Sequence, residues 1–373
     1  MSNILRIEPV VKDYAWGNDY FIADLLELEK DGPRAELWMG AHRQGSAVVM
    51  QRGEKLCDFL DSHPDFCGLE NADGFPYLLK VLAIAQSLSI QCHPDAQQAK
   101  AGFEGESDKH DSVPRSQWNY QDTNPKAEML YALTPVTAMC GFRDLEKSME
   151  LLKTVTPNFY AEHLSDIGSI KTLFDTIYRM DKESLGYAEA ELLKNSDLLS
   201  ELERSIVTEL GDRYFGDPGV FAPLFLNIIH LEKGQAVYLK PRVLHAYVAG
   251  NGVELMNNSD NVLRAGLTSK HMDLDELERV MVSEPYHPSP MPTVTDKGGV
   301  HFVCEGGFTL TAMENGVFEN PGKGARILLC TEGSAMVNGE VELQKGQCCI
   351  IGSDVCTVSV DAQCAVVFMA SEN

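Results

Sequence analysis

No stretch of this sequence approaches the ~18 uninterrupted apolar residues that a membrane-spanning helix needs. Its first residues, MSNILRIEPVVKDYAWGN, lack the basic segment and long apolar core of a secretory leader, so none is expected. Basic residues are scarce: 31 Lys and Arg stand against 55 Asp and Glu, a formal net charge of −24. A field of that sign repels nucleic acid and anionic lipid, and neither is expected as a partner. It also opposes a phosphorylated substrate unless a local group of cations reverses it, so such a group becomes something to locate. Cys-x-x-Cys pairs are absent among the ten cysteines Cys57, Cys67, Cys92, Cys140, Cys304, Cys330, Cys348, Cys349, Cys356 and Cys364. Several lie in apolar runs such as Ile327-Leu328-Leu329-Cys330. Reduced, buried thiols in a cytoplasmic protein are therefore expected rather than a disulfide framework. There is also no GxGxxG or GxxxxGK[ST] loop, which argues against a fused nucleotide-using activity.

What is present is ordinary globular material: 373 residues, 44% hydrophobic and 23% charged, enough for two or three domains with real cores. Through residue 143 the pattern is of short strands, Ile4–Val10, Ser46–Met50, Leu79–Ile84 and Ser89–His93, punctuated by Gly and Pro. Helices are expected at Asn18–Leu28 and, after the turn at Pro94-Asp95, at Ala96–Ala101. From 144 to 215 the period changes. Leu145, Met149, Leu152, Val155, Leu173, Ile177 and Met180 recur at helical spacing, as do Leu192, Leu198, Leu199, Leu202, Ile206 and Leu210. Strands return between 216 and 290, at Phe225–Leu231, Ala236–Leu239 and Gly252–Met256, with a short helix at Leu274–Val282. Pro285, Pro288, Pro290 and Pro292 then mark a linker. From 291 to 373 short strands alternate with turns at Glu332-Gly333, Asn338-Gly339 and Lys345-Gly346, the pattern of a sandwich or jelly roll. The fold class is thus mainly β, two β domains with an α-helical insertion in the first.

Three segments carry candidate metal chemistry. In Ser89-Ile90-Gln91-Cys92-His93-Pro94-Asp95, strand alternation puts Gln91 and His93 on one face. His245 opens a strand after the turn Lys240-Pro241-Arg242. Glu128 begins an apolar strand after Asn124-Pro125-Lys126-Ala127. Two imidazoles, a carboxylate and an amide oxygen suit a borderline cation such as zinc. Taken singly, each also fits a hydrogen-bonded structural role.

These segments, with Ser259-Asp260-Asn261-Val262-Leu263-Arg264-Ala265-Gly266-Leu267-Thr268, Tyr14-Ala15-Trp16-Gly17 and Ala35-Glu36-Leu37-Trp38-Met39-Gly40-Ala41-His42, resemble the type I phosphomannose isomerase family along essentially the whole chain. The resemblance implies cupin β-barrels: a catalytic cupin in two parts (1–143 and 216–290), a helical insertion (144–215) and a C-terminal jelly roll (291–373). It implies one Zn2+ per chain on Gln91, His93, Glu128 and His245, with Arg264 in the active site. It further implies aldose–ketose isomerisation between mannose 6-phosphate and fructose 6-phosphate, in a monomer or weak homodimer. Three positions depart from the family pattern. Asn124-Pro125-Lys126-Ala127-Glu128 replaces Asn-His-Lys-Pro-Glu, Cys92 replaces an aliphatic residue, and Ser269 replaces the proline before Lys270. By strand alternation the Cys92 thiol faces away from the cation.

Such an isomerisation needs a base for the C1–C2 proton, stabilisation of an enediolate, and a grip on the phosphate. Glu254, isolated between Val253 and Leu255, is the preferred base, with Lys80 as rival. Arg264 and Lys270 are the cations the acidic field called for, with Ser89 and Lys126 as further phosphate candidates; Arg264 could instead sit over the enediolate. Asp260 or His93 could assist ring opening, and Trp16 and Tyr247 are candidate substrate contacts. The competing readings are another cupin metalloenzyme, an oxygenase or hydrolase, and a non-catalytic sugar-phosphate-binding cupin.

Overall fold

A computed structural model describes residues 3–321 and 324–373. It has two large antiparallel sheet systems and a layer of helices. The first system is organised on the long strand His245–Asn257. The second half of this strand pairs with Tyr77–Ile84 on one side and Glu128–Ala132 on the other. Its first half pairs instead with Val136–Phe142 and, at His245, with Gln91. The change of partners needs a bend, and the register slips between Tyr247 and Ala249. Gly250 follows at φ +115°, where a Cβ would lie 2.4 Å from Pro135 O. Only glycine fits so close a crossing at that φ.

Side-chain alternation explains the layers. Tyr77, Leu79, Val81, Met129, Tyr131, Val253 and Leu255 point outward, packing against Phe302, Leu310, Ile327, Leu329, Ile350 and Phe368 of the C-terminal strands. The opposite faces, with Leu82, Ile84, Leu130 and Ala132, line the interior of the first barrel. The two barrels thus share one apolar layer. The second barrel adds its own core of Leu328, Val337, Leu343, Val358, Val360 and Val367.

The C-terminal strands are longer than the turn signals suggest. Arg326–Val337 is one strand through Glu332-Gly333, and Thr357–Glu372 is another. Gly333 (φ +66°) marks a bulge rather than a turn: a Cβ there would meet Cys364 O at 2.0 Å. Asn315 and Cys364 take left-handed φ values of 47° on the flanking strands, so the irregularities lie side by side and curl the sheet. Asn338-Gly339, at φ 48° and 67°, are the central residues of a true hairpin turn closed by Glu340 N to Val337 O at 3.0 Å, in the three-residue loop joining Val337 to Val341. The strand Ile4–Glu8 also joins this sheet, pairing with Cys348–Ile351 on one side and Val48–Val49 on the other.

The helical layer follows its periodicity with one change of phase. Leu152, Val155, Leu173, Ile177, Leu192, Leu199, Ile206 and Leu210 are buried in one cluster. Leu198 and Leu202, expected with them, are 59% and 40% exposed. A 3-10 turn at Ser196–Leu198 and a fresh start at Ser200, which caps Glu201–Tyr214 through a capping box with Glu203, rotate them outward. Of the first two expected helices, the first is shorter, Phe21–Leu26, and the second starts at Ala96 as expected, behind an Asp95 capping box, and runs on to Gly105. All ten cysteines are free thiols; eight are buried as expected, but Cys356 and Cys364 are exposed at turns and bulges. Among the described residues no helix is long and apolar enough to cross a membrane.

One buried acid in the insertion makes a pH prediction. The Glu189 side chain is fully buried; Oε2 accepts from Gly216 N at 2.6 Å, while Oε1 has no partner among the described residues. Burial raises its pKa from the ordinary 4.5 to about 7. The native state therefore holds a proton that the unfolded chain releases. Its contribution to stability is full below about pH 4.5 and is lost as pH climbs through 7. Urea midpoints at pH 5 and pH 8 should differ by less in Glu189→Gln than in the parent; an unchanged difference would refute this origin.

Candidate metal centre and its surroundings

The interior face of the first barrel gathers charged side chains that alternation brings into one layer. Glu128 shares its strand face with Leu130 and Ala132, and Lys80 shares its own with Leu82 and Ile84. Lys80 and Glu254 stand directly opposite each other across neighbouring strands. His245 and Glu254 are an odd number of residues apart, so a regular strand would point them to opposite faces. The register slip between Tyr247 and Ala249 adds one residue and restores the parity. Tyr247 Oη then donates to Glu254 Oε1 at 3.0 Å across the bend.

His93, Glu128 and His245 place one ligand atom each within 4.8 Å of one another, all buried. His93 Nδ1 lies 2.8 Å from Asn261 O, and His245 Nδ1 lies 2.9 Å from Val243 O. A carbonyl can only accept, so both Nδ1 atoms carry the proton and both Nε2 atoms present lone pairs. Those lone pairs face Glu128, at 3.2 Å from Oε1 and 3.3 Å from Oε2. The contact at His93 Nε2 is close, yet this atom has no hydrogen-bond donor or acceptor partner. Burial, reinforced by the Lys126 ammonium, lowers the His93 pKa to about 3, so the imidazole is neutral at physiological pH. Burial also works against the Glu128 carboxylate, but the Lys126 ammonium (Nζ to Oε1, 3.0 Å) opposes it most strongly, and the group stays well below the usual carboxylate range. Three lone-pair donors thus converge with no proton between them. A divalent cation is the partner that satisfies them together, and the nitrogen–oxygen set suits zinc.

Gln91 lines the same cavity, opposite His245 in register. Its Nε2 donates to Ser89 Oγ at 3.1 Å, and its carbonyl oxygen takes no hydrogen bond among the described residues. Cys92 turns away into the core against the helices. The loop after the long strand is fastened underneath. Ser259 Oγ donates to Asp122 Oδ1 at 2.9 Å, and Asn261 Nδ2 donates to the carbonyls of Asp122 and Asn124 at 2.9 Å each. This clamp sets the carbonyl that orients His93.

A second group lies beside the donors. Lys80 Nζ is 2.9 Å from Glu254 Oε2, 4.0 Å from Glu36 Oε2 and 5.0 Å from the centre of the Trp38 ring. Burial raises the Glu254 pKa, and Glu128 and Glu36 add to the rise against the pull of Lys80 and Lys126. Burial disfavours the Lys80 ammonium, but Glu254, Glu36 and Glu128 more than offset this and hold it protonated.

The remaining candidates are more dispersed. Arg264 pairs in register with Gln91, and Lys270 is near enough for Arg264 to lower its pKa after burial has done so. Neither side chain has a hydrogen bond or carboxylate partner among the described residues. Asp260 sits apart with His42, whose Nε2 is 3.2 Å away, and with Arg115 at 3.9 Å. Trp16 packs beside the interior cluster of Leu82 and Ile84 and stacks on Tyr14 with ring centres 6.0 Å apart; it does not line the cavity. Glu36 lines the cavity and was not among the expected site residues. Its signal was available: a carboxylate two residues before Trp38 on a short apolar strand.

Comparison with known proteins agrees with this geometry. Residues 4–145 match the family described as phosphomannose isomerase type I, catalytic domain. The mannose-6-phosphate isomerase of Salmonella typhimurium is 32% identical over 368 residues, covering 92% of this chain and 93% of that protein. A probable mannose-6-phosphate isomerase of Caenorhabditis elegans is 34% identical over 334 residues, covering 81% of this chain and 77% of its own. Among solved structures, a zinc-bound mannose 6-phosphate isomerase superposes with a TM-score of 0.89 at 30% identity, covering all of both chains. The apo form from Salmonella typhimurium gives the same TM-score at 29% identity. With sequence identity at this level over nearly its full length and the same fold throughout, this chain belongs to the type I phosphomannose isomerase family.

Proposed function

We propose that this protein interconverts D-mannose 6-phosphate and D-fructose 6-phosphate with one zinc ion held by Gln91, His93, Glu128 and His245. The observation that carries the reading is the pairing, inside one barrel, of a proton-free donor set with the ionic group Glu254–Lys80. Zinc, when bound, supplies Lewis-acid polarisation of substrate oxygens. The chain's own residues account for the rest. Glu254 takes the proton from C2 of the open-chain aldose and returns it to C1 through a cis-enediol(ate), while the O2 hydroxyl proton passes to O1. Its raised pKa suits a carboxylate that must both accept and release a proton near neutrality. Tyr247 and Lys80 hold its two oxygens in place, which limits its freedom to swing away from the carbons.

Lys80 is poorly suited to be the base, because three carboxylates keep it protonated. As an ammonium it can steady the oxyanion that develops as the C–H bond breaks. Arg264 and Lys270 take the phosphate: a partly buried and an exposed cation, neither in a salt bridge among the described residues, form the local reversal that a chain of net charge −24 requires. Asp260, paired with His42, serves ring opening at the rim.

The direct test is a coupled assay of mannose 6-phosphate turnover before chelation, after chelation and after zinc is restored. Turnover that vanishes with the metal and returns with zinc is the expected result. A folded, zinc-loaded sample without turnover would leave a sugar-phosphate-binding cupin in its place.

A further inference from the structure

Just past the helical insertion, a carboxylate that the reaction scheme does not use is bonded to the substrate loop. Asp217 lies where the chain leaves the helix Glu201–Tyr214 and re-enters the barrel. Its Oδ1 accepts from Gly219 N at 2.8 Å and its Oδ2 from Leu267 N at 2.9 Å; the Thr268 amide acts on the same group. Leu267 and Thr268 belong to the turn that leads from Arg264 to Lys270. That turn has an unusual backbone. Gly266 is at φ +112° and Leu267 at φ +54°, so two consecutive residues hold left-handed angles, the second of them at some conformational cost. A Cβ on Gly266 would come within 2.5 Å of Asp217 Oδ1, which shows how closely the carboxylate seats against the turn. On its other side the segment is tied to the metal-ligand strand, by Ala265 N to Ile90 O at 2.8 Å and Ile90 N to Gly266 O at 3.2 Å.

We infer that Asp217 is a positioning residue for substrate binding: it fixes the Gly266–Thr268 turn so that Arg264 and Lys270 stand ready for the phosphate. The inference rests on the reading that these two cations take that group. Left alone, the two cations repel each other, and a turn with left-handed backbone at Leu267 relaxes. N–H donors gathered on one partly buried carboxylate resist both tendencies, because hydrogen bonds to an ionised acceptor are about twice as strong as neutral ones. Binding then spends less on ordering the loop. Asp217 touches no reacting atom in this scheme. Its effect should therefore appear in the affinity for phosphorylated ligands and leave the chemical step alone.

Asp217→Asn keeps the size of the side chain but removes its charge and turns an N–H2 toward the amide donors. We expect KM for mannose 6-phosphate and the inhibition constant of inorganic phosphate to rise together, by about tenfold or more, with kcat within about threefold of the parent. Zinc content should stay at that of the parent. Because Asp217 acts through Arg264 and Lys270, adding Asp217→Asn to Arg264→Ala should raise KM by less than Asp217→Asn does alone. If Asp217→Asn cannot be recovered folded, Asp217→Glu carries the same measurements, with a smaller expected rise in both constants. A variant that melts earlier but keeps both constants unchanged would overturn the inference, as would an effect fully additive to Arg264→Ala. Should Arg264→Ala and Lys270→Ala themselves leave KM unchanged, it is the assignment of the phosphate site that fails.

Discussion

Glu254→Gln is expected to lower kcat by two to four orders of magnitude, roughly the range that one positioned acid–base group contributes, while the protein keeps its zinc. The substitution is nearly isosteric. Tyr247 can still donate to the amide oxygen, and the metal donors on Glu128, His93 and His245 are untouched. What disappears is a carboxylate able to take the C2 proton, together with the partner that faces Lys80 at 2.9 Å. Single-turnover kinetics with metal analysis separates these consequences. A variant with full zinc and kcat within about tenfold of the parent would remove Glu254 from the base's role. It would also reopen the case for Lys80, despite the carboxylates that keep Lys80 protonated.

Glu128→Ala carries the second large effect, on metal and stability together. Its carboxylate faces both imidazole Nε2 atoms, and it is the close partner of the buried Lys126 ammonium. Alanine removes one zinc donor, so affinity should fall by more than the 10–100-fold typical of losing a mere supporting contact. It also strands Lys126, which is 7% exposed, without its counter-ion. Removing one partner of a buried pair costs about 3–5 kcal/mol. The expected picture is a protein purified nearly zinc-free, inactive, and unfolding at a clearly lower denaturant midpoint. Zinc retained at parental stoichiometry would take Glu128 out of the ligand set.

Much of the barrel's chemistry could be read from alternation alone. Gln91 and His93 share a parity, Cys92 turns to the core, and Glu128 begins its strand facing inward. What alternation could not supply was the bulge after Tyr247, since Gly250 and Gly252 show that the strand bends but not where its register slips. Without it, parity would separate His245 from Glu254. In the same way Glu332-Gly333 looked like a turn, when its glycine serves a close approach by a distant strand. Asp217 was silent for a related reason: a carboxylate just past the end of a helix looks like surface, and only tertiary contacts reveal its partners. Leu198 and Leu202 failed in the opposite sense, since a one-turn reset of helical phase leaves composition unchanged while rotating the apolar stripe.

The strand Ile4–Glu8 has a consequence for how this molecule comes into being. Ile7 and Cys348, which touch through Sγ and a carbonyl, are 341 residues apart in the chain. At the usual ~5–20 residues added per second, the first strand leaves the ribosome tens of seconds before its partner is made. During that interval an apolar strand with an open edge must be kept from other chains. Completion of the sheet is then necessarily a late, long-range closure, slow by the entropy of so large a loop.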